Sequence, residues 1–262
     1  MNYRQGFKLG LKSYSEAFSF ILKNKLVWYF LFPLLLNILL FAIGFYSVVT
    51  WGDQLVGHLN EWMGIDSWDF WGASFVAGSI KWFVWLILRL LFFLIYAYMG
   101  GYIILILLSP VFALLSEKTE NILINSSTPF NIRQFLKDIR RGVLLAIRNL
   151  CIELLLTLAL FVLSFIPVVG YFTAIVLFLV SAYFYGFSFI DYTLERQRLD
   201  IHHSVRFIRS NKGLAVGNGF VFCLVLMIPF IGVSIAGFIS IISVVAATIS
   251  ANKVIHDKTI IY

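Results

Sequence analysis

Four long apolar runs, separated by short polar stretches, set the pattern of this chain: Leu26 to Thr50, Trp82 to Leu108, Leu154 to Ile190 and Phe220 to Ile249. Each of the first two exceeds the roughly 20 residues that a helix needs to cross a bilayer, so each predicts one spanning helix. The third would be about 55 Å long as a single helix, nearly twice the ~30 Å hydrocarbon core. It is broken by "FIPVVG", and the fourth run is broken in the same way by "MIPFIG". Pro167 and Pro229 lack an amide proton and push the preceding Ile out of helical geometry, while Gly170 and Gly232 supply permissive backbone. The pattern therefore predicts two helical hairpins with tips at Pro167 to Gly170 and Pro229 to Gly232. Arms of about sixteen residues in the third run fall short of a full crossing, which predicts partial insertion. Both hairpins start from one side, so their likeness reads as a parallel repeat.

Two further stretches have helical periodicity with one apolar stripe. In residues 7 to 22 the stripe is Phe7, Leu11, Tyr14, Phe18 and Leu22, with Lys8, Lys12, Glu16 and Lys23 elsewhere on the wheel. In residues 132 to 150 it is Leu136, Ile139, Val143, Ile147 and Leu150, with Arg133, Lys137, Arg140 and Arg141 pointing away. Both predict amphipathic helices lying on the inner membrane surface. Their basic residues fit attraction to anionic lipids or an entrance that collects anions.

Composition agrees with a membrane protein: 61% of the residues are hydrophobic and only 13% charged, with a mean hydropathy of +0.92. In 262 residues, with no linker or low-complexity tract, we expect a single membrane domain. The polar, basic first twenty-five residues and the lack of a cleavage pattern predict that nothing is removed. Cys151 and Cys223 sit in apolar runs without partners at ligand spacing, which predicts buried small hydrophobes and no metal site.

Charge then orients the chain. Lys and Arg cluster in residues 1 to 25, 109 to 153 and 191 to 213 and in the tail. The loop Trp51 to Ile80 carries Asp53, Glu61, Asp66 and Asp69 and no Lys or Arg, so it belongs outside and both termini belong in the cytoplasm. Hairpins that return to their starting side keep residues 191 to 213 inside as well. The net charge of +7 comes without an interleaved aromatic and basic surface motif, so no nucleic-acid partner is expected.

Taken in order, "FLFPLLLNILLF" from Phe30, "SPVFALLSEKTENILINSSTP" from Ser109, the two Ile-Pro turns and "IDYTLERQR" from Ile190 resemble the CysZ family of bacterial sulfate permeases. That family's wider domain family includes eukaryotic endoplasmic-reticulum members. The resemblance runs nearly end to end. It implies two long transmembrane helices plus two incompletely inserted hairpins, assembled as a homo-oligomer in the bacterial cytoplasmic (inner) membrane. It also implies sulfate, or a similar small oxyanion, as the substrate of an uptake that supplies sulfur assimilation and cysteine synthesis. Family members carry an Arg pair five and six residues ahead of the Pro in the first helix, a region associated with sulfate binding. Here those positions hold Trp28 and Val27; Lys23 and Lys25 lie nearby but lack the planar guanidinium fork.

The fold class read from the chain is thus an all-α integral membrane protein. Its candidate substrate-pathway residues are Arg89, Asn37, Lys23, Lys25, Gly170 and Gly232. Arg89 lies seven residues inside the second span, where an ionisable side chain is costly, and either serves the pathway or snorkels outward or pairs with Asp53 or Asp69. Asn37 either donates to an anion or bridges helices. The arms that begin near Gly170 and Gly232 bring half-helix N-termini, with their positive dipole ends, into the membrane. Glu153, Asp191, His202 and His203 are expected to face water. No Gly-x-x-x-x-Gly-Lys-Ser/Thr is present and no nucleophile, base and orienting partner share a face, so ATP-driven transport, an enzyme and a cofactor are not expected. A non-transporting scaffold or lipid-interacting protein of the same fold is the alternative to a permease.

Overall fold

The computed structural model describes residues 1–64, 73–125, 131–166, 169–197, 199–228 and 231–259, and within α2 and α3 some side chains, Arg89 among them, lie outside that description. Among the described residues the secondary structure is helical, without strands. In chain order the helices are α1 Tyr3–Lys23, a 3-10 segment Leu26–Phe30, α2 Leu31–Met63, α3 Ala73–Leu107, α4 Ser109–Leu123 and α5 Ile132–Ser164. They continue with α6 Val169–Arg196, α7 Ile201–Ser210, α8 Lys212–Leu226 and α9 Gly232–Thr259. The chain forms two compact units, Met1–Pro33 with Gly101–Tyr262, and Leu34–Gly100.

The Leu34–Gly100 unit contains most of α2 and α3, helices of 33 and 35 residues. At ~1.5 Å per residue each is about 50 Å long and outreaches the ~30 Å hydrocarbon core. The expected outer loop is shorter than the charge pattern suggested, because α2 continues past Thr50 to Met63 and α3 begins at Ala73. Polar residues there are no obstacle to a helix that has left the apolar layer.

In the larger unit both breakers fall where the sequence places them. Helix α5 ends at Ser164 and α6 begins at Val169; α8 ends at Leu226 and α9 begins at Gly232. Pro167 and Pro229 themselves lie outside the described residues. A Cβ on Gly170 would stand 2.5 Å from the Ser164 carbonyl oxygen, and one on Gly232 would stand 2.6 Å from that of Val225. Only glycine lets the second arm turn so closely against the first.

The arms differ from expectation. Residues 132 to 150 are not a separate surface helix but run on without a break into the first arm. Asn131 caps this long helix by accepting from the amides of Arg133 and Gln134. By length and composition Ile132–Ser164, Phe172–Arg196 and Gly232–His256 are long and apolar enough to cross a membrane, so the sixteen-residue arm is corrected for the first hairpin. In the second hairpin α8 has 15 residues, about 22 Å, and stays short of a crossing.

Helix α8 is the hub of this unit, and small residues make it so. A Cβ on Gly213 or Gly217 would strike the carbonyl oxygens of Tyr3 or Phe7 in α1, at 2.1 and 2.5 Å. On its other side Gly219 faces the Ala182 carbonyl and Gly186 faces that of Ala215, each with 1.8 Å to a hypothetical Cβ. Backbones approach at this distance only where side chains are missing, the usual basis of tight helix association in lipid. Accordingly α1 packs through Gly6, Gly10, Ser13, Ala17 and Ile21, while Phe18 and Leu22 of the predicted apolar stripe are exposed and Tyr14 of that stripe reaches Ser243 of α9. In α5 likewise Leu136 and Ile147 of the predicted stripe are exposed, and the buried face is Asp138, Leu145, Ala146, Asn149 and Glu153. Cys223 is buried as expected, but Cys151 is exposed, because it lies on the outward side of α5.

Candidate functional site

The buried face of α5 carries polar residues at helical spacing, and α6 answers them. Arg141 grips Asp191 in a two-pronged pair, Nε to Oδ2 at 3.1 Å and Nη2 to Oδ1 at 2.9 Å. Further along, the Asn149 amide donates to Ser188 Oγ at 2.9 Å. Nearer the tip, Glu153 accepts from the hydroxyls of Ser181 in α6 and Tyr102 in α3. Antiparallel arms with inward polar residues thus build a ladder of side-chain hydrogen bonds inside the first hairpin. The adjoining helices extend it: Thr248 of α9 bonds Thr193 of α6 at 3.1 Å and Ser116 of α4 at 3.2 Å. Asn218 of α8 donates to Ser250 at 3.0 Å, and Tyr14 of α1 to Ser243 at 2.9 Å.

The base of the ladder is a dense charge cluster. Besides Asp191, Arg141 contacts Glu195 at 3.8 Å and donates to Ser204 Oγ in α7 at 2.7 Å and to the Leu199 carbonyl. Arg196 pairs with Glu117 of α4 at 2.5 Å and stands 3.8 Å from Asp138. Two guanidinium groups thereby tie α4, α5, α6 and α7 together. Burial pushes the Glu120 carboxyl above its ordinary range, while the Gln197 amide at 2.6 Å and the charge of Arg196 pull it back. At the outer edge, the His203 amide donates to Asp200 at the start of α7 and holds that carboxylate below its ordinary range.

The residues singled out from sequence divide. Arg133, Lys137 and Arg140 are exposed, as an inner-face basic set requires. Arg141 is not one of them: its side chain is 13% exposed, against 4% for Asp191. Glu153 and Asp191 are corrected from water-facing to buried, at 2% and 3%, whereas His202 and His203 are exposed. Gly170 and Gly232 lie at the tips, but their amides already donate to Ile166 and Ile228 at 3.1 and 2.9 Å, so the dipole ends are partly capped. Lys23 and Lys25 are exposed around the turn from α1, where Lys25 takes a left-handed φ of 57°. Val27 and Trp28 on the 3-10 segment are exposed, Trp28 at 78%. Asn37 is half-buried in α2, and Arg89 falls in α3 with its side chain outside the described residues.

Sequence reasoning missed Tyr102, Asn149, Ser181 and Ser188. A signal was present: Arg141, Asn149 and Glu153 recur at i, i+8 and i+12, one face of a helix, and Glu153 opens an apolar stretch. Among the described residues no group of His, Cys, Asp and Glu is arranged to hold a metal ion.

Helices that expose large apolar side chains and thread hydrogen-bonded polar residues through an apolar core, with three of the described helices long and apolar enough to cross a membrane, define an all-α, multi-pass membrane protein. Residues 13–236 match the model of the EI24 family, described as sulfate transporter CysZ/etoposide-induced protein 2.4. The chain belongs to that family. It is similar to proteins named sulfate transporter CysZ from Pseudomonas aeruginosa, at 28% identity over 82% of this chain and 85% of the relative. Those of Vibrio cholerae and Pectobacterium atrosepticum are 27% and 25% identical, over 87% and 78% of this chain and 85% and 71% of theirs.

Proposed function

We propose that this chain is a permease for sulfate or a similar small oxyanion, active without ATP hydrolysis. The carrying observation is the family match over residues 13–236, which takes in the first hairpin with its ladder of polar side chains, α8 and both breakers. The ladder supports the reading physically, since an ion leaving water needs hydrogen-bonding groups that replace its hydration, and apolar arms alone provide none. In this reading the chain works as one membrane domain of a homo-oligomer in the bacterial inner membrane. Both termini face the cytoplasm, and the import feeds sulfur assimilation and cysteine synthesis. Arg89, Asn37, Lys23, Lys25 and the tip glycines Gly170 and Gly232 stand as pathway residues; Arg133, Lys137 and Arg140 gather anions or lipid headgroups at the inner face.

Exposed Val27 and Trp28, where the family carries an Arg pair, favour the second reading, a lipid-interacting scaffold of the same fold. Uptake of labelled sulfate by intact cells that lack their own sulfate uptake, with and without this chain, separates the two. The permease reading expects uptake above the empty-vector level, and equal uptake with the protein present in the membrane favours the scaffold.

A further inference from the structure

Two helix beginnings wall one cavity of the larger unit. It has a volume of about 290 Å³ and lies between the first residues of α1 and the turn from α7 into α8, where Tyr3, Gly6, Arg209, Asn211 and Lys212 line it. Glycines let the walls close: a Cβ on Gly6 would stand 2.9 Å from the Leu214 amide nitrogen, and one on Gly213 would stand 2.1 Å from the Tyr3 carbonyl oxygen. Two cationic residues, Arg209 and Lys212, face this space without a carboxylate among its lining residues. Helix α8 begins at Lys212 itself with no side-chain cap and adds its positive dipole end, a setting that suits a phosphate.

Asn211 adds what the cations cannot. It is only 3% exposed, and its Nδ2 donates to the Phe207 carbonyl at 2.9 Å. That bond fixes the orientation of the amide and leaves Oδ1, a buried acceptor, without a hydrogen-bond partner among the described residues. A buried carbonyl oxygen with no donor is costly, and fully ionised sulfate brings no donor to it. The cavity therefore matches one ligand that carries both an anionic group for Arg209 and Lys212 and an N–H for Asn211. A phosphoethanolamine group has both, a phosphate joined to an ammonium by an ethylene link. Met1 and Tyr3, which line the cavity and are exposed, offer apolar surface to acyl chains. Helices α1 and α7 also belong to the basic segments that the charge pattern expects at the inner membrane face.

We propose that this cavity binds the headgroup of phosphatidylethanolamine. Arg209, Lys212 and the start of α8 hold the phosphate, and Asn211 Oδ1 accepts from the ammonium. The site does not depend on the permease reading above, because it requires no flux.

The test uses the full-length protein in detergent, equilibrated with phosphatidylethanolamine, its N-methyl and N,N-dimethyl derivatives, or phosphatidylcholine, all with the same acyl chains. Native mass spectrometry reads the retained lipid. The methyl series removes donors from the ligand and leaves the protein untouched. Retention should hold while one N–H remains and fall about tenfold in phosphatidylcholine, which has none. The variants are Asn211→Leu, the double variant Arg209→Gln with Lys212→Gln, and Arg133→Gln as a control for surface charge. Melting temperature and elution in size-exclusion chromatography certify folding. Asn211→Leu should hold all four lipids alike, at the phosphatidylcholine level. The double variant should lose all four, and the control should match the wild type. Equal retention of the four lipids by wild-type protein overturns the proposal. So does a folded Asn211→Leu protein that keeps the preference, or a folded double variant that holds phosphatidylethanolamine as well as the wild type. Displacement of the lipid by equimolar soluble phosphoethanolamine would overturn the assignment to a lipid. Sulfate flux, measured in parallel, keeps this site and the permease apart. Flux without headgroup preference removes the site and leaves the permease, and headgroup preference without flux does the reverse.

Discussion

Arg140 and Arg141 are neighbours in sequence with opposite fates, one exposed and one locked onto Asp191. A helix turns about 100° per residue, so adjacent side chains cannot share a face. Removing the partner of a buried ion costs up to about 3–5 kcal/mol when the remaining charge is left uncompensated. Asp191→Ala removes the two-pronged pair but leaves Glu195 at 3.8 Å from Arg141, so it should lower stability by less than that, read as a fall in melting temperature in detergent, whereas Arg140→Ala should leave it near wild type. The sequence marks Arg141 as basic and on the polar side of the wheel. Its partner lies fifty residues away in the next helix, and periodicity within one segment carries no information about that. For the same reason Glu153 reads as a boundary residue until the hydroxyls of Ser181 and Tyr102 are seen on it.

At the scale of elements, helix packing is set by what is missing from the side chains. Gly219 places its Cα against the Ala182 carbonyl, and backbone at 1.8 Å from an added Cβ cannot move aside as a flexible side chain would. Gly219→Val should force α6 and α8 apart and cost about 3 kcal/mol or more, read by thermal unfolding and by loss of the wild-type elution profile in size-exclusion chromatography. The start of α7 offers a pH-dependent counterpart. Asp200 accepts from the His203 amide and its folded carboxyl titrates below the ordinary value. Its contribution is fully present above about pH 4 and disappears as pH falls through the folded value. The protection of the first-turn amides of α7, taken as hydrogen exchange relative to the intrinsic rate at each pH, should fall on acidification across that range. Asp200→Asn keeps an acceptor at the cap and should remove the pH dependence. The hairpin tips were legible, because Ile-Pro-x-x-Gly within a run too long for one span admits little else. The continuity of α5 was not, since the switch from a basic to an apolar surface at Asn149 looks like an end. A helix needs a breaker to stop, and Gly142, the glycine in that stretch, is tolerated under Tyr192 and Ser109.

For the whole molecule, the basic segments and the acidic stretch after Thr50 predict that α7 and the start of α8 face the cytoplasm. Ser210→Cys in a background without Cys151 and Cys223 should be protected from an impermeant thiol reagent applied to intact cells and become labelled once the membrane is opened. Labelling from outside would reverse the hairpin topology. The fold class and family were within reach of the sequence, because apolar run lengths and two repeated breakers constrain a membrane chain strongly. The polar interior was not, because it is assembled from single Ser, Thr, Asn and Tyr residues scattered over seven helices. The central claim is that this interior serves the passage of an oxyanion. Its most direct measurement is the uptake of labelled sulfate into liposomes containing the purified protein, beside protein-free liposomes and liposomes containing the unfolding-prone Gly219→Val variant. The account predicts saturable uptake in the first that excess unlabelled sulfate suppresses and excess chloride does not, with background rates in the other two. Background uptake by correctly assembled wild-type protein would contradict it.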